Sequence, residues 1–453
     1  MSDFYRLPTA LPLFRADHPA YALFYAPGYL AVATTDYADT LAQQLGDFTA
    51  DRHPAATALR RWAAQAQAAR AALFTQPFAP VCLTLYLHNA CQLQCNYCYA
   101  DPTPRPAQRL SLPTIRAAAR LVMANCRAQG RPFTLVCHGG GEPTLDRPLL
   151  ARVLAELAQL ATAYDLPTFR YVATNGVLSA AAARWLAQQF DLIGLSCDGP
   201  PDVQNGQRPL RSGQGSARFV ERTAQIIHAA GTPLHVRVTI TPQSVTRQAE
   251  IAAYLCTTLR PAEIHVEPVY HAGRAAAAAC FTPEQADLFV AEFSKAKLAA
   301  QGYDVPWRMS GSRAAEIHGP YCHVLRQVLQ LTPGGGAVAC FKEVQDGAAL
   351  LQIGRLETAA AGFRIDSGNI HTLRTHLETA VAPCAACFNQ YHCAGACPDF
   401  CPALETPPAA SFRCRVNRQL MMAHLRETAI YLWANCAAAA VAGKVIQSYG
   451  YAC

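Results

Sequence analysis

Three cysteines within eight residues, Cys91, Cys95 and Cys98, follow the apolar run 82–88 with the spacing C-x3-C-x2-C. Thiolates from one tight loop can hold three irons of a cubane iron–sulfur cluster, and no fourth cysteine lies close enough in sequence to close the last corner. An iron left open binds a ligand and passes it an electron. A zinc knuckle, or ordinary reduced thiols, is the plainer chemistry that the same spacing allows. Past residue 310 the cysteines gather again: Cys322, Cys340, Cys384, Cys387, Cys393, Cys397 and Cys414, with Cys401 four residues after Cys397. Iron–sulfur clusters or a pair of zinc sites both suit that array.

Elements that could position the first triad follow from periodicity. Between residue 80 and about 300 an apolar run, a turn and an amphipathic stretch recur six times. Strands are expected over 82–88, 132–138, 168–174, 192–197, 234–240 and 262–269. Helices are expected near 113–127, 147–163, 179–189, 216–229, 244–257 and 283–299. Such alternation predicts parallel βαβ units with right-handed crossovers, whose functional groups gather at the C-terminal strand ends.

Candidate ligand contacts fall at those ends. His138 to Pro143 reads His-Gly-Gly-Gly-Glu-Pro: glycines let backbone approach a ligand, and Glu142 can accept from an ammonium. Asn175 closes the third strand, and Ser196 and Asp198 close the fourth. Their amide, hydroxyl and carboxylate suit ribose hydroxyls or a substrate, with Arg208 as partner for a carboxylate. All of these types also make ordinary turns. Arg237, inside a strand, can reach the ligand or pair with Glu267.

Residues 1–78 carry no cluster motif. A hairpin is expected from 21–25 and 29–33, with helices over 36–45 and 55–74, forming a cap or a peptide-docking region. Composition is that of a folded protein, with 51% hydrophobic and 15% charged residues. The formal charge of +7 comes without a basic block, and thiolate ligation of clusters offsets part of it, so neither nucleic acid nor a membrane is expected as partner. Nineteen cysteines without a secretory leader predict a reducing, cytoplasmic setting and metal ligation. Cys82, Cys126, Cys137, Cys197, Cys256, Cys280 and Cys436 read as packing residues, and Cys453 as part of a frayed tail.

The triad, with Tyr97 just before its last cysteine, resembles the signature of the radical S-adenosylmethionine (SAM) enzymes, and Gly140-Gly141-Glu142-Pro143 resembles that family's GGEP motif. The seven later cysteines resemble the SPASM extension of peptide-modifying and sulfatase-activating members. This likeness implies a partial (β/α)6 barrel at 79–309, a SPASM region at 310–420, and a C-terminal helix and tail at 421–453. It implies three [4Fe–4S] clusters and SAM, with Tyr97, Gly140, Gly141, Glu142, Pro143, Asn175, Ser196, Asp198 and Arg208 around the SAM. Cys384, Cys387, Cys393 and Cys414 would hold an outer auxiliary cluster. Cys322, Cys340 and Cys397 would hold a nearer one, left open at Val328 or closed by Cys401.

The activity implied is hydrogen abstraction from a residue of a precursor peptide or protein, giving a thioether or carbon–carbon crosslink or an oxidised side chain. A flavodoxin or ferredoxin would serve as reductant. Sulfatase maturation to formylglycine is the alternative, although Phe341 and Lys342 follow Cys340 where maturases usually place an Asp. Small-molecule radical chemistry in cofactor synthesis, or a non-catalytic electron carrier, are the remaining readings.

Overall fold

The computed structural model describes residues 3–47, 53–105, 108–276, 280–342, 349–357, 362–393, 411–437 and 445–450. The chain divides into two compact units, Met1–Gln76 with Ser310–Pro320 and Leu377–Cys453, and Pro77–Met309 with Tyr321–His376.

In the first unit, β1 (Tyr5–Arg6), β2 (Phe14–His18), β3 (Tyr21–Ala26) and β4 (Tyr29–Thr34) form an antiparallel meander, and the strand Val445–Gly450 pairs antiparallel with β4. The expected hairpin turns at Gly28, whose φ of +88° is the left-handed conformation that glycine tolerates best. Successive strand side chains point to opposite faces, and both faces are covered, which is why these strands read as nearly continuous apolar runs. Tyr21, Leu23, Tyr25, Leu30 and Val32 pack against Met421, Leu425 and Leu432 of the helix Phe412–Ala437. Ala22, Phe24, Ala31 and Ala33 pack on the other side against Leu41 and Leu45 of α1 (Thr35–Gly46) and Ala56, Leu59 and Ala63 of α2 (Pro54–Thr75).

The second unit is built on a parallel sheet in which β5 (Cys82–Leu85), β6 (Phe133–Cys137), β7 (Thr168–Thr174), β8 (Leu192–Ser196), β9 (Leu234–Ile240) and β10 (Glu263–Pro268) neighbour one another in sequence order. Their crossovers run through α3 (Leu112–Gln129), α4 (Arg147–Ala163), α5 (Ala180–Gln189), α6 (Pro201–Gln207), α7 (Ala217–Ala229) and α8 (Gln248–Tyr254), and α9 (Ala286–Gln301) follows β10. Hydroxyl and carboxylate caps start these helices where the sequence changes period. Ser111 accepts from the Thr114 N–H, Asp146 from Leu149 and Ser179 from Ala182. This is the partial barrel implied by the resemblance.

Two further parallel strands extend it. β11 (Trp307–Met309) joins β10, and β12 (Val328–Leu331) joins β5, carrying antiparallel β13 (Ala337–Val338), β14 (Gln352–Glu357) and β15 (Gly362–Ile365). At three and four residues β11 and β12 are too short to show a period. The helix expected over 244–257 is divided into a 3-10 turn at Val245–Arg247, α8 and a π turn at Leu255–Leu259. Among the described residues no helix is long and apolar enough to cross a membrane.

Side-chain alternation places the Tyr171 ring of β7 over Gly194 of β8, where an added Cβ would overlap the phenol. Gly194→Ala should therefore displace that ring and lower the unfolding free energy by about 1–3 kcal/mol, measured by chemical denaturation. An unchanged midpoint would mean that Tyr171 moves freely.

Candidate active site

The cysteine loop leaves β5 and is held by its backbone. The Cys91 N–H donates to Thr103 O (2.9 Å), Gln94 N–H to Pro209 O (2.8 Å) and Asn96 N–H to Gln207 O (3.0 Å). Two arginines collect its carbonyls: Arg211 donates to Cys91 O at 2.8 Å and to Pro102 O, and Arg274 donates from Nη1 to Cys95 O at 3.0 Å while pairing with Asp101 at 2.8 Å. A loop fixed in this way presents all three cysteines to one cavity of about 260 Å³.

Burial holds the Cys91 thiol up at about 12 and Cys95 at about 11, so loading a metal centre must expel protons. The Leu93 N–H (3.4 Å) and Asn175 Nδ2 (3.5 Å) point at Cys91 Sγ and would steady its thiolate. Among the described residues no three His, Cys, Asp or Glu side chains converge on one ion. A mononuclear zinc site needs that convergence, whereas a cubane takes each thiolate on a different iron, so the donor set fits the cluster better.

The glycine run wedges against this loop. Gly139 and Gly140 have φ of +75° and +71°, and a Cβ on Gly141 would overlap the Ala90 backbone, whose carbonyl accepts from the Glu142 N–H at 2.7 Å. Glu142 is only 2% exposed. Its carboxylate accepts from the Thr144 N–H (3.2 Å) and hydroxyl (2.5 Å), the Thr174 hydroxyl (2.9 Å) and the Asn175 N–H (2.7 Å). Burial raises its pKa, and these bonds oppose the rise. The acceptor that the sequence offers to an ammonium thus ties the second strand end to the third, mostly through Oε1, and still lines the cavity. Pro143 opens a 3-10 turn into α4 and does not line the cavity.

Asp198 is likewise engaged. Fully buried, it accepts from Tyr97 OH (2.5 Å), Gln207 Nε2 (2.8 Å), Arg208 Nε (3.0 Å) and the Thr239 N–H (3.0 Å). Arg208 lies over the Tyr97 ring at 5.2 Å. Burial works against its charge, yet Asp198, Tyr97 and Cys95 hold its pKa well above the ordinary value. Asp198 thus anchors Arg208 instead of facing a ribose, and the Ser196 hydroxyl lines the cavity beside it.

Arg237, His265, Glu267, Tyr270 and Phe341 complete the lining, and of these sequence reasoning missed His265 and Tyr270. Glu267 accepts from Tyr270 OH at 2.8 Å and lies 3.1 Å from His265 Nε2, while Arg237 reaches the Tyr171 hydroxyl at 3.5 Å. Alternating polar residues within β9 and β10 were the available signal, since a strand in a barrel sends every second side chain inward. Phe341 meets the rings of Tyr99 (6.1 Å) and Tyr270 (6.4 Å) edge-on, making that side aromatic. His138 is pushed down to about 3 by burial and stays neutral.

The second cysteine array is partly described. Cys322 and Cys340, both buried, face each other in an antiparallel bridge within the second unit. Val328, which offers no thiolate to the nearer cluster, is a strand residue in register with Cys82. In the first unit, Cys384 ends a 3-10 turn, the Cys387 N–H donates to Cys384 O at 2.9 Å, Asn417 Nδ2 reaches Cys393 Sγ at 3.2 Å, and Cys414 lies in the first turn of Phe412–Ala437. Cys397, Cys401 and Cys453, and the Cys436 side chain, lie outside the described residues.

With this geometry in place, the comparisons are specific. Residues 85–252 match the radical SAM superfamily. The cysteine-type anaerobic sulfatase-maturating enzyme of Clostridium perfringens is 28% identical over 116 residues, covering 25% of this chain and under a third (31%) of that relative's length. Native anSMEcpe with bound AdoMet has a TM-score of 0.61 at 16% identity, over 78% of this chain and 100% of that one. The same enzyme with AdoMet and Cp18Cys peptide gives 0.59 at 16%, over 77% and 99%. Streptococcus suis SuiB bound to precursor peptide SuiA gives 0.49 at 14%, over 81% of each chain. The barrel is a radical SAM domain. Residues 85–252 thus form an enzyme domain of that superfamily, whose cofactors are [4Fe–4S] and SAM.

Removing the buried carboxylate while leaving its arginine should be costly. Asp198→Ala is expected to lower the unfolding free energy by about 3–5 kcal/mol in denaturant titration of the apoprotein. A loss below about 1 kcal/mol would show that water or a neighbour replaces the carboxylate.

Proposed function

We propose that this chain abstracts hydrogen from a residue of a ribosomally made peptide or protein, producing a crosslink or an oxidised side chain. The observation that carries the reading is one cavity lined both by the three cysteines and by Arg237, His265, Glu267 and Tyr270. A cluster with bound SAM supplies a 5′-deoxyadenosyl radical, which needs a partner held close and shielded from water. The protein's part is positioning and exclusion.

Cys91, Cys95 and Cys98 would hold the cluster. Arg208, fixed through Nε by Asp198, has both terminal nitrogens free of hydrogen bonds among the described residues and would take the carboxylate of SAM. Ser196 would serve a ribose hydroxyl, with Asn175 and the glycines Gly140 and Gly141 shaping the approach. Glu142, held in the cavity lining by Thr144, Thr174 and Asn175, would accept from the ammonium of SAM. Phe341, Tyr99 and Tyr270 would keep water from Arg237, His265 and Glu267, whose polar groups would orient the substrate residue.

Cys384, Cys387, Cys393 and Cys414, and separately Cys322, Cys340 and Cys397, are the proposed auxiliary ligands of a SPASM-like region. They would carry away an electron, with flavodoxin or ferredoxin supplying the first. A peptide substrate is supported by the shared fold with anSMEcpe, which has been solved with peptide bound. Sulfatase maturation is the second reading, favoured by the 28% identity to that enzyme. It is opposed by Phe341, an aromatic ring where a base would be wanted.

Anaerobic reconstitution tests this. Changing Cys91, Cys95 and Cys98 together to Ala should abolish 5′-deoxyadenosine yet leave roughly eight irons, the content of two remaining cubanes. Loss of all iron, or continued SAM cleavage, would overturn the assignment. A deuterated peptide encoded near the gene should pass deuterium into 5′-deoxyadenosine. Formylglycine in a sulfatase-derived peptide would favour the second reading instead.

A further inference from the structure

Arg70, one turn from the end of α2, stands in the same unit as Cys384, Cys387, Cys393 and Cys414. Its Nη1 donates to Gln390 O at 2.5 Å and to His318 O at 3.2 Å, and its guanidinium lies over the Tyr391 ring at 5.4 Å. Gln390 lies three residues from both Cys387 and Cys393, so the guanidinium sits on the loop that carries them. Two more N-terminal side chains grip the same loop. Arg6 donates to Ala385 O at 2.6 Å, and Tyr25 shares a 2.5 Å bond with His392 Nε2. Because His392 Nδ1 faces the Glu316 carbonyl at 2.7 Å, it must carry the proton, and Tyr25 therefore donates.

Among the described residues no carboxylate pairs with Arg70, whereas Arg418 of the same unit lies 4.0 Å from Asp3. A guanidinium set among carbonyls, partly out of water, carries charge that those dipoles only partly compensate, and burial is costly unless an anion stands close. Four thiolates on a cubane give a net negative group, and an added electron makes it more negative. A fixed cation beside it favours the reduced form.

We propose that Arg70 is the counter-charge of the outer auxiliary cluster, raising its reduction potential while clamping the 384–393 loop. This rests on Cys384, Cys387, Cys393 and Cys414 being the ligands of that cluster. The role is one of positioning and tuning, since Arg70 touches no substrate.

The test uses the full chain carrying the Cys91, Cys95 and Cys98 to Ala changes, so that the barrel cluster adds no signal. Iron content and an electron paramagnetic resonance titration with dithionite are compared for Arg70, Arg70→Lys and Arg70→Gln. Equal iron is expected in all three, with Arg70→Gln disfavouring reduction of one cluster about tenfold, a shift of about 59 mV for one electron. Arg70→Lys, which keeps the charge, should stay near the parent. An unmoved potential in Arg70→Gln, or an equal fall in Arg70→Lys, overturns the proposal. If Arg70→Gln loses iron, recovery of iron by Arg70→Lys upholds the charge as the agent, and failure to recover overturns it. Cys384→Ala separates the premise: unchanged iron content there would sink the ligand assignment itself, independently of Arg70.

Discussion

The Asp198 carboxylate sits wholly out of water, and the donors that satisfy it come from different parts of the chain. Tyr97 belongs to the cysteine loop, Gln207 and Arg208 to the end of α6 and just beyond, and the Thr239 N–H to β9. A buried carboxylate must find several partners or be expelled, so these segments are compelled to meet. The cysteine loop, which has almost no regular structure of its own, takes its place from this meeting, from the carbonyls gathered by Arg211 and Arg274, and from the close backbone approach of Gly141 to Ala90.

Much of this architecture was legible in the chain because two simple periods write it. Runs such as Leu-Ile-Gly-Leu-Ser at 192–196 are strands buried on both faces, and the intervening stretches repeat at helical spacing. The cysteine loop and the glycine run were visible by their residue types. The hydrogen-bond partners of Glu142 and Asp198 were not, because a carboxylate beside a glycine turn looks the same whether it faces a ligand or a threonine. Only the positions of Thr144, Thr174, Asn175, Tyr97 and Thr239 separate the two, and those are set by strand register. The short strands at 307–309 and 328–331 escaped for a related reason: pairing with β10 and β5 defines them, and pairing is a tertiary fact.

The wall formed by Arg237, His265, Glu267 and Tyr270 shows how a site can hide in a regular element. Each strand carries its polar residues two apart, which reads as ordinary alternation until the inner side of the sheet proves to be a cavity. At Phe341 the reverse holds. The sequence marks that position only by what is missing, and the structure supplies a reason: three aromatic rings close that side, where a charged base would lose its hydration without a partner.

The bond between Tyr25 and His392 joins residues 367 positions apart. During synthesis at about 5–20 residues per second, the first strands wait roughly 20–70 s before the segment bearing His392 is made. For that interval the sheet face formed by Leu23, Tyr25, Leu30 and Val32 lacks the helix Phe412–Ala437 that covers it. The parallel sheet, drawn mostly from the continuous stretch Pro77–Met309, has no such delay. Birth order thus makes the sheet that holds the loop 384–393 among the last parts of the molecule to close, and leaves an apolar surface in need of shelter until it does.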